Sequence, residues 1–215
     1  MGFLLDECTF CAYDETMIKS CQPFDCGNED LNNFFSKDSV NYSSQLLGKS
    51  YCFVLDANSS VIVCAFTIAN DSIKSTNLPN ARKKRVIKNI PRQKQMRSYP
   101  AVLIGRLAVN LNFRHVRKEE KRTGDQMMDF IKTWFVDGQN KTGCRYIVVD
   151  AYNETGPIHY YQKNGFMELF STEEQEKEYS GLSLDAPLPT RLLYFDLIML
   201  FIRNSTQPIC HYENT

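Results

Sequence analysis

The sequence has no net charge, 25 Lys and Arg being matched by 25 Asp and Glu. That balance excludes a global pull toward nucleic acid or an anionic membrane, so any electrostatic recognition must be local. No apolar run reaches the roughly eighteen residues of a membrane span. The longest candidate, "LLYFDLIMLFI", is short and carries Asp196, which predicts a buried strand. The first residues lack a basic n-region, so a signal peptide is not expected. Asp6 stands where N-myristoylation after Gly2 needs Ser or Thr. Together these lacks predict a cytoplasmic protein without a membrane segment.

The cysteines lack the repeated two-residue gap of a zinc ribbon: Cys8 and Cys11 form one CxxC, but Cys21 and Cys26 are spaced more widely. Free thiols and no metal site are therefore expected. Cys52 and Cys64 lie in strand-like runs, as small buried hydrophobes do. There is no internal repeat. A chain of 215 residues suits one domain with additions. The expected division is an N-terminal extension or first strand over 1–20, a single domain over 21–200 and a tail over 201–215.

Periodicity supplies the elements. Asn28 can cap a helix whose first turn holds Glu29 and Asp30, with Leu31, Phe34 and Phe35 at helical spacing. "SYCFVLDANSSVIVCAFTIAN" reads as a hairpin turning over Asp56–Ser60. "PAVLIGRLAVN" is a strand, "DQMMDFIKTWFVDG" an amphipathic helix closed by Gly138, and "YIVVD" a strand buried on both faces. A short helix ends at Gly165, "FMELF" starts a strand, "STEEQEKEY" is a solvated acidic loop, and "RLLYFDLIML" closes the sheet. The order predicts an α/β domain with a mixed, mostly antiparallel central sheet flanked by helices.

Two charge runs can be read in two ways each. From Lys74 to Arg97 the chain carries nine Lys or Arg and no acid, Arg82, Lys83, Lys84, Arg85, Lys88 and Arg92 among them. Such a run is either a solvated loop or a phosphate-tracking, nucleic-acid-binding surface. "HVRKEEKRTGDQMM", residues 115–128, is either a solvated approach to a helix or a phosphate-gripping loop with few glycines.

Three segments resemble the GNAT superfamily of N-acetyltransferases: "IGRLAVN" (104–110), the helix after the 115–128 run, and "YYQKNGF" (160–166), which is similar to an aromatic-Tyr-x-x-x-Gly-Phe signature. "FDCGNEDLNNFF" and "NIPRQKQMRSYPAVLIGRLAV" are similar to its toxin branch, whose members acetylate the amino group of aminoacyl-tRNA and pair with a ribbon-helix-helix antitoxin. The likeness runs from about Pro23 to Leu197.

The resemblance implies acetyl-CoA as co-substrate. It implies backbone amides at Leu107, Ala108 and Val109 for the pantetheine and thioester, and a phosphate cradle over Lys121, Arg122, Thr123, Gly124, Asp125 and Gln126. In relatives that cradle is richer in glycine; here Gly124 alone remains, Arg122 replaces an earlier glycine, and about five extra residues lengthen the approach. Tyr161 falls on the general-acid tyrosine, the other reading being a buried aromatic. Asn153 is either a cofactor contact or a helix cap. Asp150, His159 and ordered water are open as the base. Aminoacyl-tRNA is the first expected acceptor and a small amine or protein amine the second. A non-catalytic binding module with a degenerate CoA loop is the other class. An antitoxin and a second copy of the chain are the expected protein partners.

Overall fold

A computed structural model describes residues 2–90, 96–118, 121–140 and 142–205. In chain order the elements are α1 (Phe3–Asp6), β1 (Cys8–Ala12), α2 (Glu15–Ser20), α3 (Glu29–Asn33), a π-helical turn (Phe34–Asp38) and α4 (Ser39–Ser44). There follow β2 (Lys49–Leu55), β3 (Asn58–Lys74), α5 (Asn80–Ile87), β4 (Ser98–Val109), β5 (Arg117–Lys118), β6 (Lys121–Arg122) and α6 (Thr123–Val136). The remainder is β7 (Tyr146–Tyr152), α7 (Thr155–Lys163), β8 (Met167–Glu168), α8 (Glu173–Ser180), β9 (Thr190–Asp196) and α9 (Ile198–Ser205).

Seven strands form one sheet in the order β1-β2-β3-β4-β7-β9-β8. Every neighbouring pair is antiparallel except β4 and β7. The mixed, mostly antiparallel sheet is the one the periodicity predicts. Because side chains alternate across a strand, β7 feeds both faces. Ile147, Val149 and Ala151 join a core under α1, α6 and α7, whereas Tyr146 and Val148 join a second one under α5 and α8. A third cluster, around Phe34, Phe35, Cys52 and Ala65, lies under the helix that begins at Glu29.

Local chemistry explains the boundaries. The Asn28 side chain accepts from the Leu31 amide and starts α3. Asp25 accepts from the Gly27 amide and from Asn32, and Gly27, at φ +71°, lies against Leu111. The "FDCG" stretch is thereby a clasp between the N-terminal helices and the turn after β4.

Four expectations change. The hairpin turns over Asp56 and Ala57 only, with β3 already beginning at Asn58. The 115–122 run is not a plain approach: its ends pair as a small ladder, Arg117 with Arg122 and Lys118 with Lys121. "STEEQEKEY" is no solvated loop but α8, capped by Thr172 and ended by Gly181 at φ +70°. Its Glu176 is 3% exposed because Arg191, itself buried on β9, pairs with it at 2.7 Å. Finally, "LLYFDLIMLFI" is not one strand. Asp196 ends β9 by accepting from the Ile198 amide at 3.3 Å, and Arg145 holds the same carboxylate at 2.7 Å, so α9 begins there. No helix among the described residues is long and apolar enough to cross a membrane.

Gly165 closes α7 at φ +84°, with its amide on the Gln162 carbonyl and the Phe166 amide on the Tyr161 carbonyl. A Cβ here would meet the Phe195 ring at 3.2 Å. Gly165→Ala is therefore expected to cost about 1–3 kcal/mol, from a left-handed backbone plus a tight contact. Urea unfolding checks it; a loss below roughly 0.5 kcal/mol contradicts the strain.

Candidate active site

The parallel pairing of β4 with β7 covers only Ala101–Tyr146 to Ile104–Val149. Beyond it the strands part: β4 continues along β3 to Val109, and β7 continues along β9 to Tyr152. The cause is visible in the register. Arg106 faces Thr67 and Ile104 faces Ile68, so Gly105 is an extra residue in β4, a bulge that bends the strand. Along 105–109 the edge of β4 turned away from β3 has lost its strand partner. Every second residue there presents its N–H and C=O to the gap. Leu107, Ala108 and Val109 lie on this free edge.

The start of α6 meets the same gap. Gly124 lies between Val109 and Tyr160: a Cβ on it would stand 3.5 Å from the Tyr160 ring and 3.7 Å from Val109. The first-turn side chains are all engaged. Thr123 donates to the Phe113 carbonyl at 2.7 Å. Asp125 pairs with Lys163 at 2.6 Å and accepts from Asn164 at 3.1 Å. Burial alone would raise the Asp125 carboxyl, but these bonds and the Arg122 backbone amide hold it below the usual carboxylate range. Gln126 accepts from the Leu4 amide and donates to the Lys121 carbonyl, tying α1 to α6. Lys121 pairs with Asp129, while Arg122 is exposed at the N-cap. Of the expected cradle, Gly124 borders the gap, Arg122 is exposed, and both stand at the positive end of the α6 dipole.

Both tyrosines of "YYQKNGF" are half-buried and pack in the core that also holds Leu107 and Val109. Their hydroxyls differ. Tyr160 donates to the Gly124 carbonyl at 2.6 Å, which fixes α7 against α6. Tyr161, edge-on to Tyr160 and Phe166, makes no hydrogen bond through its hydroxyl to any described residue. Burial pushes both phenols above the ordinary tyrosine range, so both keep their protons at neutral pH. Lys132, buried in α6, supports this corner by donating to the Asn164 carbonyl at the end of α7.

Asn153 follows β7, but its amide is committed to Glu173 and the Leu188 carbonyl, at 2.9 and 3.0 Å, and it does not cap α7. On the sheet face opposite Tyr161, a cavity of about 410 Å³ is bounded by Asp71, Val148, Asp150, Glu176, Tyr179 and Leu192. Asp150 is exposed along its wall, yet the surrounding protein and the Asp71 charge hold its carboxyl above the usual range. His159 is exposed on α7. Residues 80–87 of the basic stretch form α5, which lays Val86 on the second core and leaves Lys84 and Arg85 exposed, with Lys88 just beyond it; Arg82 and Lys83 are half-buried. Arg92 lies outside the described residues. Among the described residues there is no cluster of three or more His, Cys, Asp or Glu able to hold a metal, and seven cysteines are free. Sequence reasoning missed Arg106 and Tyr152 beside the gap and Asp71 in the cavity wall. The side on which each emerges depends on the bulge and on strand pairing, neither of which leaves a local signal.

No protein-family model and no curated protein matches the sequence. Solved structures do match. A tyrosine-to-phenylalanine mutant of KacT aligns over 92% of this chain and 99% of its own, with TM-score 0.64 and 17% identity. AtaT complexed with acetyl-methionyl-tRNAfMet aligns over 92% and 99%, with TM-score 0.62 and 17% identity. A mutant AtaT toxin bound to the C-terminus of the antitoxin AtaR and acetyl-CoA aligns over 94% and 100%, with TM-score 0.54 and 18% identity. The chain therefore has the GNAT-like fold that the sequence motifs imply.

A carboxyl whose folded value is raised stabilises the fold below its unfolded value and loses that contribution as pH rises through the folded one. Asp150→Asn is accordingly expected to be more stable than the parent at about pH 7, with the difference shrinking toward about pH 4. Urea midpoints at both pH values test this; a difference independent of pH contradicts it.

Proposed function

We propose that the chain is an acetyl-CoA-dependent N-acetyltransferase whose acceptor is the amino group of an aminoacyl-tRNA. The observation that carries the proposal is the parting of β4 from β7 beside both the N-terminus of α6 and the protonated Tyr161. Acetyl-CoA supplies the thioester. The chain supplies three things around it. Backbone groups over 107–109 hold the pantetheine arm and polarise the thioester carbonyl. The helix N-terminus, Gly124 and Arg122 take the pyrophosphate. The Tyr161 hydroxyl gives its proton to the departing thiolate as the amine attacks the carbonyl carbon. Holding amine and thioester in one cleft removes much of the entropic barrier.

The one-glycine loop does not forbid this. Glycine would allow closer approach, but the donors needed are backbone amides and a helix dipole, which do not depend on side-chain identity. Asp125 favours the rival reading, a non-catalytic module, by placing a carboxylate in the first turn, although Lys163 and Asn164 neutralise it and turn it toward α7. The choice of tRNA rests on the fold shared with AtaT, found complexed with acetyl-methionyl-tRNAfMet, and on the acid-free surface of α5. AtaT is also found bound to the C-terminus of the antitoxin AtaR, and the toxin-branch resemblance of the sequence makes a small ribbon-helix-helix antitoxin the expected protein partner.

Transfer of labelled acetyl from acetyl-CoA to charged tRNAs, against a panel of free amines, tests the function. Calorimetry showing no acetyl-CoA binding at hundreds of micromolar would leave the module reading. Tyr161→Phe is expected to lower kcat about 10²–10⁴-fold with little change in acetyl-CoA affinity. Tyr160→Phe should instead cost about 1 kcal/mol of stability through its lost bond to Gly124, with kcat nearly kept. Equal, mild effects from both would remove the assignment. Lys83/Lys84/Arg85→Ala should weaken charged-tRNA binding and flatten its salt dependence by about two to three in slope. Intact binding in that variant counts against α5 as the tRNA surface.

A further inference from the structure

The gap between β4 and β7 has two faces. On one lie α6, α7 and Tyr161. On the other, which the amine must use if the thioester occupies the first, stand Arg106 from β4, Tyr152 from β7, and Asp30 and Phe34 from the helix that begins at Glu29. Arg106 is the first residue after the Gly105 bulge and is paired with Thr67, so its side chain emerges on this face. Its guanidinium lies over the Phe34 ring, 5.2 Å from the centroid, and donates to the Gly105 carbonyl at 2.9 Å. It is exposed and forms no ion pair with a described residue. Asp30, the carboxylate α3 brings to this mouth, accepts from the Tyr152 hydroxyl at 3.2 Å instead.

A guanidinium held over a ring and bonded to one backbone carbonyl, on an exposed residue, is pre-oriented to fork onto two oxygens of a phosphate. Transfer of acetyl to a free amine has no use for it. We propose that Arg106 is the specificity-determining residue of the acceptor side. It binds a phosphate of the terminal nucleotides to which the aminoacyl group is attached, and so selects a nucleic-acid-linked amine over a free one. The inference rests on the proposed acetyltransferase reading and assigns a role to the arginine of "IGRLAVN" that acetyl-CoA binding and Tyr161 do not need.

Two measurements test it in the full chain. In steady-state transfer, Arg106→Gln is expected to raise KM for charged tRNA about tenfold, with kcat and acetyl-CoA affinity little changed, and Arg106→Lys, which keeps the charge and loses the fork, to recover only part of the loss. With a methyl ester of the same amino acid, which has no phosphate, Arg106→Gln should change kcat/KM less than about twofold. Equal losses on both acceptors, or a matching loss of acetyl-CoA affinity, would show a scaffold role and overturn the proposal. Separately, fluorescence anisotropy with a short uncharged RNA ending in CCA reads the phosphate contact without any chemistry. Arg106→Gln should weaken binding and lower the salt slope by about one. No change there, or no binding by the parent chain, overturns the inference. Binding that depends on Arg106 in a chain that transfers no acetyl would instead sink the enzymatic reading and leave the phosphate contact standing.

Discussion

A single extra residue at Gly105 ends the hydrogen bonding between the two parallel strands at the centre of the sheet. Had β4 and β7 stayed paired to their ends, every backbone group over 105–109 would be satisfied and no ligand could reach them. Because β4 keeps β3 and β7 keeps β9 as partners, the parting costs the sheet little, and it leaves open donors and acceptors inside a rigid frame. The helices then converge on that opening: α6 starts there, α7 brings Tyr160 and Tyr161, and α3 with the π-helical turn after it closes the opposite face with Asp30 and Phe34.

Charge in this protein works through partners rather than through runs. The 115–128 stretch looks like a solvated charge run, yet Lys121 is paired with Asp129, and Asp125 is claimed by Lys163 and Asn164. The acidic 173–178 stretch looks like a solvated loop, yet Glu176 is buried against Arg191, which also holds Glu168 at 3.0 Å. Breaking such a buried group leaves an uncompensated charge, so these acids belong to the frame under β9 and not to the solvent. By contrast Arg106, surrounded in sequence by apolar residues, is exposed beside the gap and forms no ion pair with a described residue. Counting charges along the chain ranks these sites in nearly the reverse of the order that the fold does.

Much of the fold was legible from periodicity and capping. Asn28 announced α3, two apolar runs joined by a polar turn over 50–70 announced the hairpin, and "YYQKNGF" announced a helix ended by Gly165. The helix hidden in "STEEQEKEY" was not legible. Its apolar face is reduced to Tyr179 and its inward carboxylate is tolerated only because Arg191 arrives from fifteen residues downstream. The break in "LLYFDLIMLFI" escaped for a similar reason, since Asp196 accepts from the Ile198 amide while held by Arg145, which precedes β7.

The candidate site divides in the same way. Which residue types were available, a glycine at a helix start, a tyrosine four residues before Gly165, an arginine in a strand, was determined by the sequence alone. Their roles depend on distances across the fold. Only packing made Tyr160 the structural hydroxyl, by setting it 2.6 Å from the Gly124 carbonyl, and left the Tyr161 hydroxyl without a hydrogen bond to any described residue. Only strand pairing put Arg106 and Tyr161 on opposite faces of one gap. Local sequence governs what a segment of backbone prefers; which groups are left without a partner is settled by segments far apart in the chain, and it is the groups without a partner that can meet a substrate.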